Sequence, residues 1–316
     1  MQKLWALLFG VVLLACFVLT AVALIPGPLG DKWGLPTNIA AVYGSNVDRL
    51  FFVILGFVAF FYVLTEAILV VAMTRFVRAQ PTRRAAYTHG NHRLELAWTI
   101  IPAAILLYIA YAQISTWEDI KYQSHFPEPD QVVQVTARQW DWDMRYRGEQ
   151  EDNGTTWRHN WAHLQAAARP AKEKEWGERP EFDDVQNIHD LHTWKNAKVK
   201  VILRTHDIIH SFFLPNLRLK QDALPGKTIP LWFEANDYNC TFDPATGGMK
   251  YRTESGKSED YYHWEIACAE LCGGGHYRMR SHLFVHQTKA DYEAWLKSVK
   301  DNQSSRKPPE NKAAAE

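Results

Sequence analysis

The chain has 316 residues, and its 35 basic and 35 acidic side chains balance to a formal net charge of zero at pH 7. It therefore has no excess of positive charge of the kind that nucleic-acid-binding proteins carry. The apolar residues concentrate in three long runs before residue 118, and most of the charged residues follow them. This distribution excludes a wholly soluble protein, and the long polar remainder excludes a transporter with many membrane spans.

The three apolar runs cover residues 4–25, 50–74 and 96–117. Each is long enough to cross a hydrocarbon layer of about 30 Å as a helix. The second run contains one acid, Glu66. Because an acid is costly in lipid, we expect this side chain to face protein, and the sequence gives it no further role.

The first run has more than one interpretation. Lys3 precedes it, and the small residues Ala21 and Ala23 fit the cleavage site of a signal peptide. The sequence L-L-A-C ending at Cys16 also resembles a lipoprotein cleavage site. Residues 1–25 are therefore either a retained N-terminal transmembrane helix or a cleaved signal sequence.

The loop between the second and third runs sets the orientation. Residues 75–93 contain five arginines and no acid. Because short basic loops stay in the cytoplasm, residues 47–118 are predicted to form a transmembrane hairpin with its turn inside. The chain after Glu118 then lies outside, in the periplasm of a bacterial inner-membrane protein.

The polar part of the chain has a mainly β pattern, with short strand-like segments between turns, as in a sandwich or barrel. We interpret residues 148–196 as an insertion, partly helical, and residues 236–260 as a second excursion. Helical spacing predicts a helix over 289–300, and the composition of residues 301–316 predicts a disordered tail. The predicted strands are 131–138, 198–203, 229–234, 262–267 and 282–286.

The sequence C-A-E-L-C-G-G-G-H-Y-R-M places two thiols, an imidazole and a thioether within twelve residues, from Cys268 to Met279. Thiolate and thioether are soft ligands, and imidazole also suits copper. Zinc more often takes four Cys or His ligands, and a disulfide between Cys268 and Cys272 would leave His276 and Met279 without a role. His210, predicted at a strand end, adds a second imidazole. Because two thiolates can bridge two metals, the pattern favours a dinuclear copper centre.

Several motifs resemble subunit II of the haem–copper cytochrome c oxidases, and they occur in the order typical of that family. Besides the cysteine motif, they are L-E-L-A-W-T-I-I-P, R-Q-W-D-W, D-I-I-H-S-F-F-L-P and L-K-Q-D-A-L-P-G. The resemblance covers residues 50–295. It implies a helical hairpin followed by a cupredoxin-like Greek-key barrel or sandwich, an external CuA domain over residues 119–300.

The resemblance also implies an activity and partners. Electrons would pass from cytochrome c, or from a cytochrome c domain of another complex, to CuA and then to haem in subunit I. Oxygen would be reduced there and protons translocated. Subunit I and other oxidase subunits would be partners in the membrane.

The resemblance implies a set of metal ligands. Glu270 would bind copper through its backbone carbonyl, and its carboxylate would reach a magnesium ion shared with subunit I. A carboxylate is a natural ligand for such a hard cation. The implied CuA ligands are His210, Cys268, Glu270, Cys272, His276 and Met279.

Two further residues gain roles from the resemblance. Trp140 would be the residue through which electrons enter, whereas Trp142 is expected to pack in the core. Glu95 would mark the cytoplasmic entrance of a proton path, although an acid at a helix start is also ordinary.

Asp207 and Asp222 have three interpretations: an acidic docking face for a basic cytochrome, a hydrogen-bond network, or ordinary solvated acids. The chain departs from the family at Tyr277 and Arg278, where a small or hydroxyl residue and Phe are frequent. The alternatives are a quinol oxidase subunit without copper and a membrane-anchored copper carrier, and the complete ligand motif argues against the first. The sequence assigns no role to Cys240.

Overall fold

A computed structural model of the protein describes residues 2–24, 40–75, 87, 89–146, 185–255, 257 and 259–304. Most of the basic loop, most of the predicted insertion and residues 305–316 of the predicted tail lie outside the described residues. The chain divides into two compact units. The helical unit comprises Met1–Thr37 and Ser45–Glu118, and the β unit comprises Asn38–Gly44 and Asp119–Glu316.

In the part of the chain that the structure describes, the helical unit contains three helices: α1 (Gln2–Leu24), α2 (Gly44–Arg75) and α3 (His92–Lys121). Among the described residues, α2 and α3 are long and apolar enough to cross a membrane. The rings of Phe57 on α2 and Tyr108 on α3 meet edge to face, with centroids 6.3 Å apart. These two helices form the predicted hairpin.

The start of α3 is set by a side-chain cap. The Asn91 carboxamide oxygen accepts hydrogen bonds from the backbone N–H groups of Arg93, at 3.1 Å, and Leu94, at 3.3 Å. Asn is a favoured residue at this position because it pairs N–H groups that have no partner within the helix. Glu95 lies in the first turn, where its charge favours the helix dipole.

The described residues of the β unit form two sheets and one further α-helix, α4 (Lys289–Ser304). The first sheet has the order β3-β2-β1-β5-β8, and the second has the order β10-β9-β12-β11-β6-β7, with β4 also paired to β12. The strands are β1 (Gln131–Arg138), β2 (Asp141–Tyr146), β3 (Val185–Ile188), β4 (Leu191–Trp194), β5 (Lys198–Thr205), β6 (His210–Leu214), β7 (Leu219–Ala223), β8 (Ile229–Glu234), β9 (Cys240–Asp243), β10 (Gly248–Tyr251), β11 (Glu265–Cys268) and β12 (Arg280–His286).

The first sheet is built on the parallel pair β1 and β5. Val133 lies opposite Val201, and Val135 lies opposite Leu203. All four side chains are fully buried, because alternate residues of a strand point to the same face. Trp142 on β2 is fully buried too, and its ring meets Phe212 of the second sheet edge to face at 5.3 Å. The two sheets therefore share one core.

The second sheet positions the predicted ligands. Strands β11 and β6 are antiparallel neighbours, with Cys268 opposite Phe212. His210 is the first residue of β6, and the chain from Cys268 to Met279 connects β11 to β12. The strand pairing thus brings His210 to the cysteine motif across 58 residues of sequence.

The fold-class prediction is confirmed, a membrane hairpin followed by a β-sheet domain, and most predicted strands match the observed ones. Several details differ. Strands β9 and β10 pair with each other inside residues 236–260, the stretch interpreted as a second excursion. Strands β3 and β4 lie inside the stretch interpreted as an insertion, because their residues pair with β2 and β12. Residues 262–264 precede β11 instead of belonging to it, and α4 continues to Ser304, so the tail prediction over residues 301–304 is wrong.

Candidate metal centre

The loop from Cys268 to Met279, called here the cysteine loop, is closed by backbone hydrogen bonds. The N–H of Cys268 donates to the carbonyl of Met279 at 3.2 Å, which joins the two ends of the loop. Inside it, the N–H of His276 donates to the carbonyl of Gly273 at 3.1 Å. The loop therefore holds its side chains in one small space.

The structure brings all six predicted ligands together around two sulfurs. The Sγ atoms of Cys268 and Cys272 lie 3.8 Å apart. Cys268 Sγ is 3.9 Å from Nδ1 of His210 and 3.3 Å from the backbone oxygen of Glu270. Cys272 Sγ is 3.5 Å from Nδ1 of His276 and 3.9 Å from Sδ of Met279. We call these six residues the ligand cluster.

The two cysteines are free thiols. Their separation of 3.8 Å is far longer than a disulfide bond of about 2.05 Å, so the structure contains no disulfide between Cys268 and Cys272. His210 and Cys272 are fully buried, whereas Cys268 is half-buried. Burial, together with the neighbouring Cys268 thiol, raises the pKa of Cys272 to about 12.

The donor chemistry fits a soft transition-metal ion. Thiols so close together would repel each other as thiolates, and a bound cation would compensate that charge. Two sulfurs, two imidazoles and a thioether are the donors that copper prefers, and a thioether contributes little to zinc or a hard cation. The residues present therefore fit the copper that the family resemblance implies.

An acid orients the buried histidine of the cluster. Nε2 of His210 donates to Oδ1 of Asp207 at 2.8 Å, which leaves Nδ1 free to face Cys268. Metal-binding histidines are commonly fixed in this way by a carboxylate. Partial burial of Asp207 opposes its charge, but hydrogen bonds from His210 and from the N–H groups of Gln139 and Ile208 lower its pKa to about 2.

Trp140 lies against the cysteine loop. Its indole N–H donates to the carbonyl of Cys272 at 3.0 Å, and the Gln139 side chain donates to the same oxygen at 3.0 Å. A Cβ atom on Gly275 would overlap the Trp140 ring, and Gly273 has φ of +110°. Glycine is therefore needed at these two positions, at one for its backbone conformation and at the other to admit the indole ring.

The remaining predicted residues are placed as follows. The Glu270 side chain is exposed, and only its backbone oxygen contacts the cluster. Trp142 packs in the core, as expected, and its ring centroid is 6.3 Å from that of His210.

Glu95 and Glu66 belong to the helical unit. Glu95 is half-exposed with Oε2 3.7 Å from Nδ1 of His92, and Glu66 is half-buried, with Oε2 lacking a hydrogen-bond partner among the described residues.

Sequence reasoning missed three contacts. Ser211 donates to Asp222 at 2.6 Å, beside His210, so Asp222 belongs to a hydrogen-bond network, as Asp207 does. Gln139 shares the carbonyl of Cys272 with Trp140. The Arg278 guanidinium lies over the Trp140 ring, 5.6 Å from its centroid. In the sequence, the contact between Arg278 and Trp140 was indicated only by the departure of Arg278 from the family pattern.

Two family models together match more than half of the chain. The family model for the transmembrane domain of cytochrome c oxidase subunit II matches residues 34–115. The model for the periplasmic domain of the same subunit matches residues 131–244. The chain belongs to the cytochrome c oxidase subunit II family. It is a subunit of a haem–copper oxidase complex, placed in the bacterial inner membrane with a periplasmic C-terminal domain.

Individual relatives agree with this family. An alternative cytochrome c oxidase subunit 2 of Bradyrhizobium diazoefficiens is 27% identical over 275 residues, which is 86% of this chain and 83% of the relative. A cytochrome c oxidase subunit 2 of Cereibacter sphaeroides is 28% identical over 289 residues, 87% of this chain and 82% of the relative.

Among solved structures, the periplasmic domain of subunit II of cytochrome oxidase from Bradyrhizobium japonicum matches at a TM-score of 0.34 with 20% identity. The match covers 56% of this chain and 98% of that one. The periplasmic family match includes His210 but ends before Cys268. The ligand assignment therefore rests on the geometry of the cysteine loop.

Proposed function

We propose that the ligand cluster holds the dinuclear CuA centre, which accepts electrons from cytochrome c and passes them to haem in subunit I for oxygen reduction coupled to proton translocation. In this proposal residues 47–118 anchor the subunit among the other oxidase subunits, and residues 119–300 meet the electron donor. The observation that carries it is the pair of free thiol sulfurs 3.8 Å apart with four further donors around them.

The number of donors supports two metal ions. A mononuclear blue-copper site uses one thiolate, two imidazoles and a weak axial ligand. The ligand cluster has that set complete, with one more thiol and the carbonyl of Glu270. The complete donor set also disfavours a quinol oxidase subunit, which would keep the fold without these ligands.

The chain's own residues prepare the site for electron transfer. When bound, copper supplies a centre that takes up and releases one electron. Burial of His210, Cys272 and Met279 excludes water from the cluster, and Asp207 keeps His210 in one orientation. A rigid, dry ligand set keeps the geometry the same in both oxidation states. Such a site needs little rearrangement to transfer an electron.

Trp140 is the residue we assign to electron acceptance from the donor. Its ring is half-buried, so one part can contact a partner protein. The hydrogen bond from its indole N–H reaches the backbone of Cys272, one of the two thiol ligands. The ring therefore offers a short connection from the protein surface to the sulfur pair.

We assign the Glu270 carboxylate to a magnesium ion shared with subunit I. Its side chain is exposed, and among the described residues it makes no ion pair. In Glu270→Gln, the copper content should stay unchanged because the backbone carbonyl remains. Manganese substituted for magnesium should lose its electron paramagnetic resonance signal in this variant, and an unchanged signal would contradict the assignment.

We assign Glu95 to the cytoplasmic entrance of a proton path. It is half-exposed at the start of α3 and close to His92, which offers a second group that can bind a proton. In Glu95→Gln we expect slower oxygen consumption with a normal copper spectrum. Unchanged turnover would remove Glu95 from the path.

The central experiment counts copper in the purified complex. We expect two copper ions per chain in CuA and a mixed-valence spectrum. Cys272→Ser should abolish that spectrum, whereas Cys240→Ala, which removes a buried thiol outside the ligand cluster, should retain it. One zinc, or one blue copper, per chain would overturn the proposed function.

A further inference from the structure

Helix α2 carries one acid within its apolar stretch. Glu66 is the only acid between Arg49 and Arg75, and it lies away from both ends of the helix. The side chain is half-buried, and its Oε2 atom is buried without a hydrogen-bond partner among the residues that the structure describes. A lone carboxylate is costly in hydrocarbon, and acids at such a depth commonly belong to proton relays. The proposed function gives this residue no role.

A ring contact between α2 and α3 indicates the depth of Glu66 in the hairpin. The rings of Phe57 on α2 and Tyr108 on α3 meet with centroids 6.3 Å apart. Glu66 lies nine residues after Phe57, and Thr99 lies nine residues before Tyr108. Because the two helices of a hairpin run in opposite directions with the same rise per residue, Glu66 lies level with Thr99.

A second pair of residues gives nearly the same depth. Phe61 of α2 and Ile101 of α3 line one cavity between the helices. Glu66 lies five residues after Phe61, and Leu96 lies five residues before Ile101. Glu66 is therefore at the level of residues 96–99, one to four residues beyond Glu95. At a helical rise of about 1.5 Å per residue, the two acids differ in depth by no more than about 6 Å.

Other polar groups of α3 lie at the same depth. The Thr99 hydroxyl is one turn beyond Glu95 and donates to the carbonyl of Glu95 at 2.9 Å. Pro102 lies inside α3 and has no N–H, so the carbonyl of Trp98 lacks its regular helical partner. A carboxyl, a hydroxyl and a free carbonyl provide the two to four polar partners that an ordered water molecule needs. This level of the hairpin can therefore hold water between the two acids.

We propose that Glu66 is the second proton-transfer group of the path that begins at Glu95. The Glu95 carboxylate binds a proton from the cytoplasm and passes it, through water held by the Thr99 hydroxyl and the Trp98 carbonyl, to the Glu66 carboxylate, which releases it toward subunit I. Each acid gains and loses one proton in a transfer, so only O–H bonds form and break. This inference rests on the assignment of Glu95 in the proposed function.

The test measures oxygen consumption by the intact oxidase complex in liposomes. Glu66→Gln keeps the shape of the side chain but cannot carry the proton. We expect turnover to fall about 10-fold, less than the full contribution of about 100-fold or more from an acid–base group, because water remains in the path. Glu66→Asp keeps the carboxyl group and should restore much of the rate. The copper spectrum and the content of subunit I should stay normal in both variants.

A matched control removes a polar group from the neighbouring position. The Thr65 hydroxyl donates to the carbonyl of Phe61 within α2 at 2.9 Å, so Thr65→Val should leave turnover unchanged. Infrared difference spectra between the reduced and oxidised complex provide a readout that a packing role would not change. The C=O band of a carboxylic acid should shift in Glu66→Asp and disappear in Glu66→Gln.

A double variant tests whether the two acids act in series. Glu66→Gln combined with Glu95→Gln should be no slower than the slower single variant, because both changes limit the same flow of protons. Effects that multiply would place the acids on separate paths and overturn the inference.

Other results also contradict the inference. Normal turnover in Glu66→Gln, with slow turnover in Glu95→Gln, would remove Glu66 from the path and leave the assignment of Glu95 intact. Loss of subunit I from purified Glu66→Gln would mean that the acid is a contact between subunits, and an infrared spectrum that does not respond to Glu66→Asp would exclude proton transfer. Normal turnover in Glu95→Gln would instead refute the proposed path itself, and the inference with it.

Discussion

Two buried histidine clusters in the β unit have similar residues but different geometry. In the ligand cluster, His210 donates a hydrogen bond from Nε2 to Asp207, and its Nδ1 faces the Cys268 thiol. In the second cluster, beneath α4, His286 gives Nδ1 to Asp291 at 2.8 Å and Nε2 to His192 at 3.1 Å. We call His192, His286 and Asp291 the helix cluster.

The difference lies in where the free nitrogen points. His210 directs it into a space that other donors share, whereas His286 uses both nitrogens within the protein. The ring of His192 stacks on Trp295 with centroids 3.6 Å apart and planes at 8°. Burial lowers the pKa of His192 and of His286, so the pair is neutral at pH 7. A carboxylate and a buried histidine thus form the proposed metal site in one place and a packing contact in the other.

The largest expected effect comes from removing one histidine from each cluster, which tests whether only the ligand cluster binds metal. His210→Ala should lose most of its copper and its electron acceptance, because a donor to the metal disappears. His286→Ala should keep the copper and its spectrum. Metal analysis and absorption spectroscopy of the two purified complexes check this, and copper loss in both variants would contradict the distinction.

The next effect concerns the acid that orients His210. Asp207→Asn keeps the shape but removes the charge, and we expect the affinity for copper to fall about 10–100-fold. Asp222→Asn is the matched control, because Asp222 binds Ser211 and touches no ligand side chain. Competition with a copper chelator measures both, and equal affinities would mean that orientation by Asp207 is unimportant.

The helix cluster should instead respond in stability. His286→Ala leaves Asp291 without its imidazole partner and should cost about 1–3 kcal/mol of unfolding free energy. The loss should appear first as faster hydrogen exchange in α4, since Trp295 and Tyr292 of this helix pack on the two histidines. Exchange measured by mass spectrometry in the complex would show this, and unchanged protection of α4 would contradict it.

The smallest expected effect is a pH dependence. Because burial, and then the neighbouring His286 imidazole, hold the pKa of His192 below its ordinary value of 6.5, the unfolded chain binds a proton more readily than the folded one. Unfolding free energy should therefore be unaffected above about pH 6.5 and fall below it, by up to about 1.4 kcal/mol per pH unit. Nearby Tyr146 and Tyr292 stay neutral, since burial raises the pKa of each.

Thermal unfolding of the complex at pH 7.5 and pH 5.5 measures this slope. His192→Phe preserves a ring for Trp295 and removes the proton-binding group, so its slope should be shallower than that of the wild type. An identical slope would mean that other groups cause the acid sensitivity.

The sequence predicted what local pattern determines. Alternation of apolar and polar residues placed β1 at its observed bounds, and the spacing of Cys268, Cys272, His276 and Met279 identified the candidate site. Such signals depend on neighbouring residues, so one sequence contains them. One further side-chain donor, His210, joins these residues through the pairing of β6 with β11.

Longer-range partners were not predictable in the same way. His192 and His286 are 94 residues apart, and His192 lies in a stretch that was interpreted as an insertion. Strands as short as β3 and β4 carry too few residues to show alternation. The sequence left the role of Asp207 open, because an acid's charge alone does not tell whether it faces solvent or an imidazole.

The hydrogen bond between the N–H of Cys268 and the carbonyl of Met279 makes the cysteine loop a closed ring of backbone. Five of the six ligand residues belong to that ring, and His210 alone comes from another strand. We therefore expect that the ring can be transferred between two adjacent antiparallel strands of a different barrel, provided that a histidine stands at the start of the neighbouring strand.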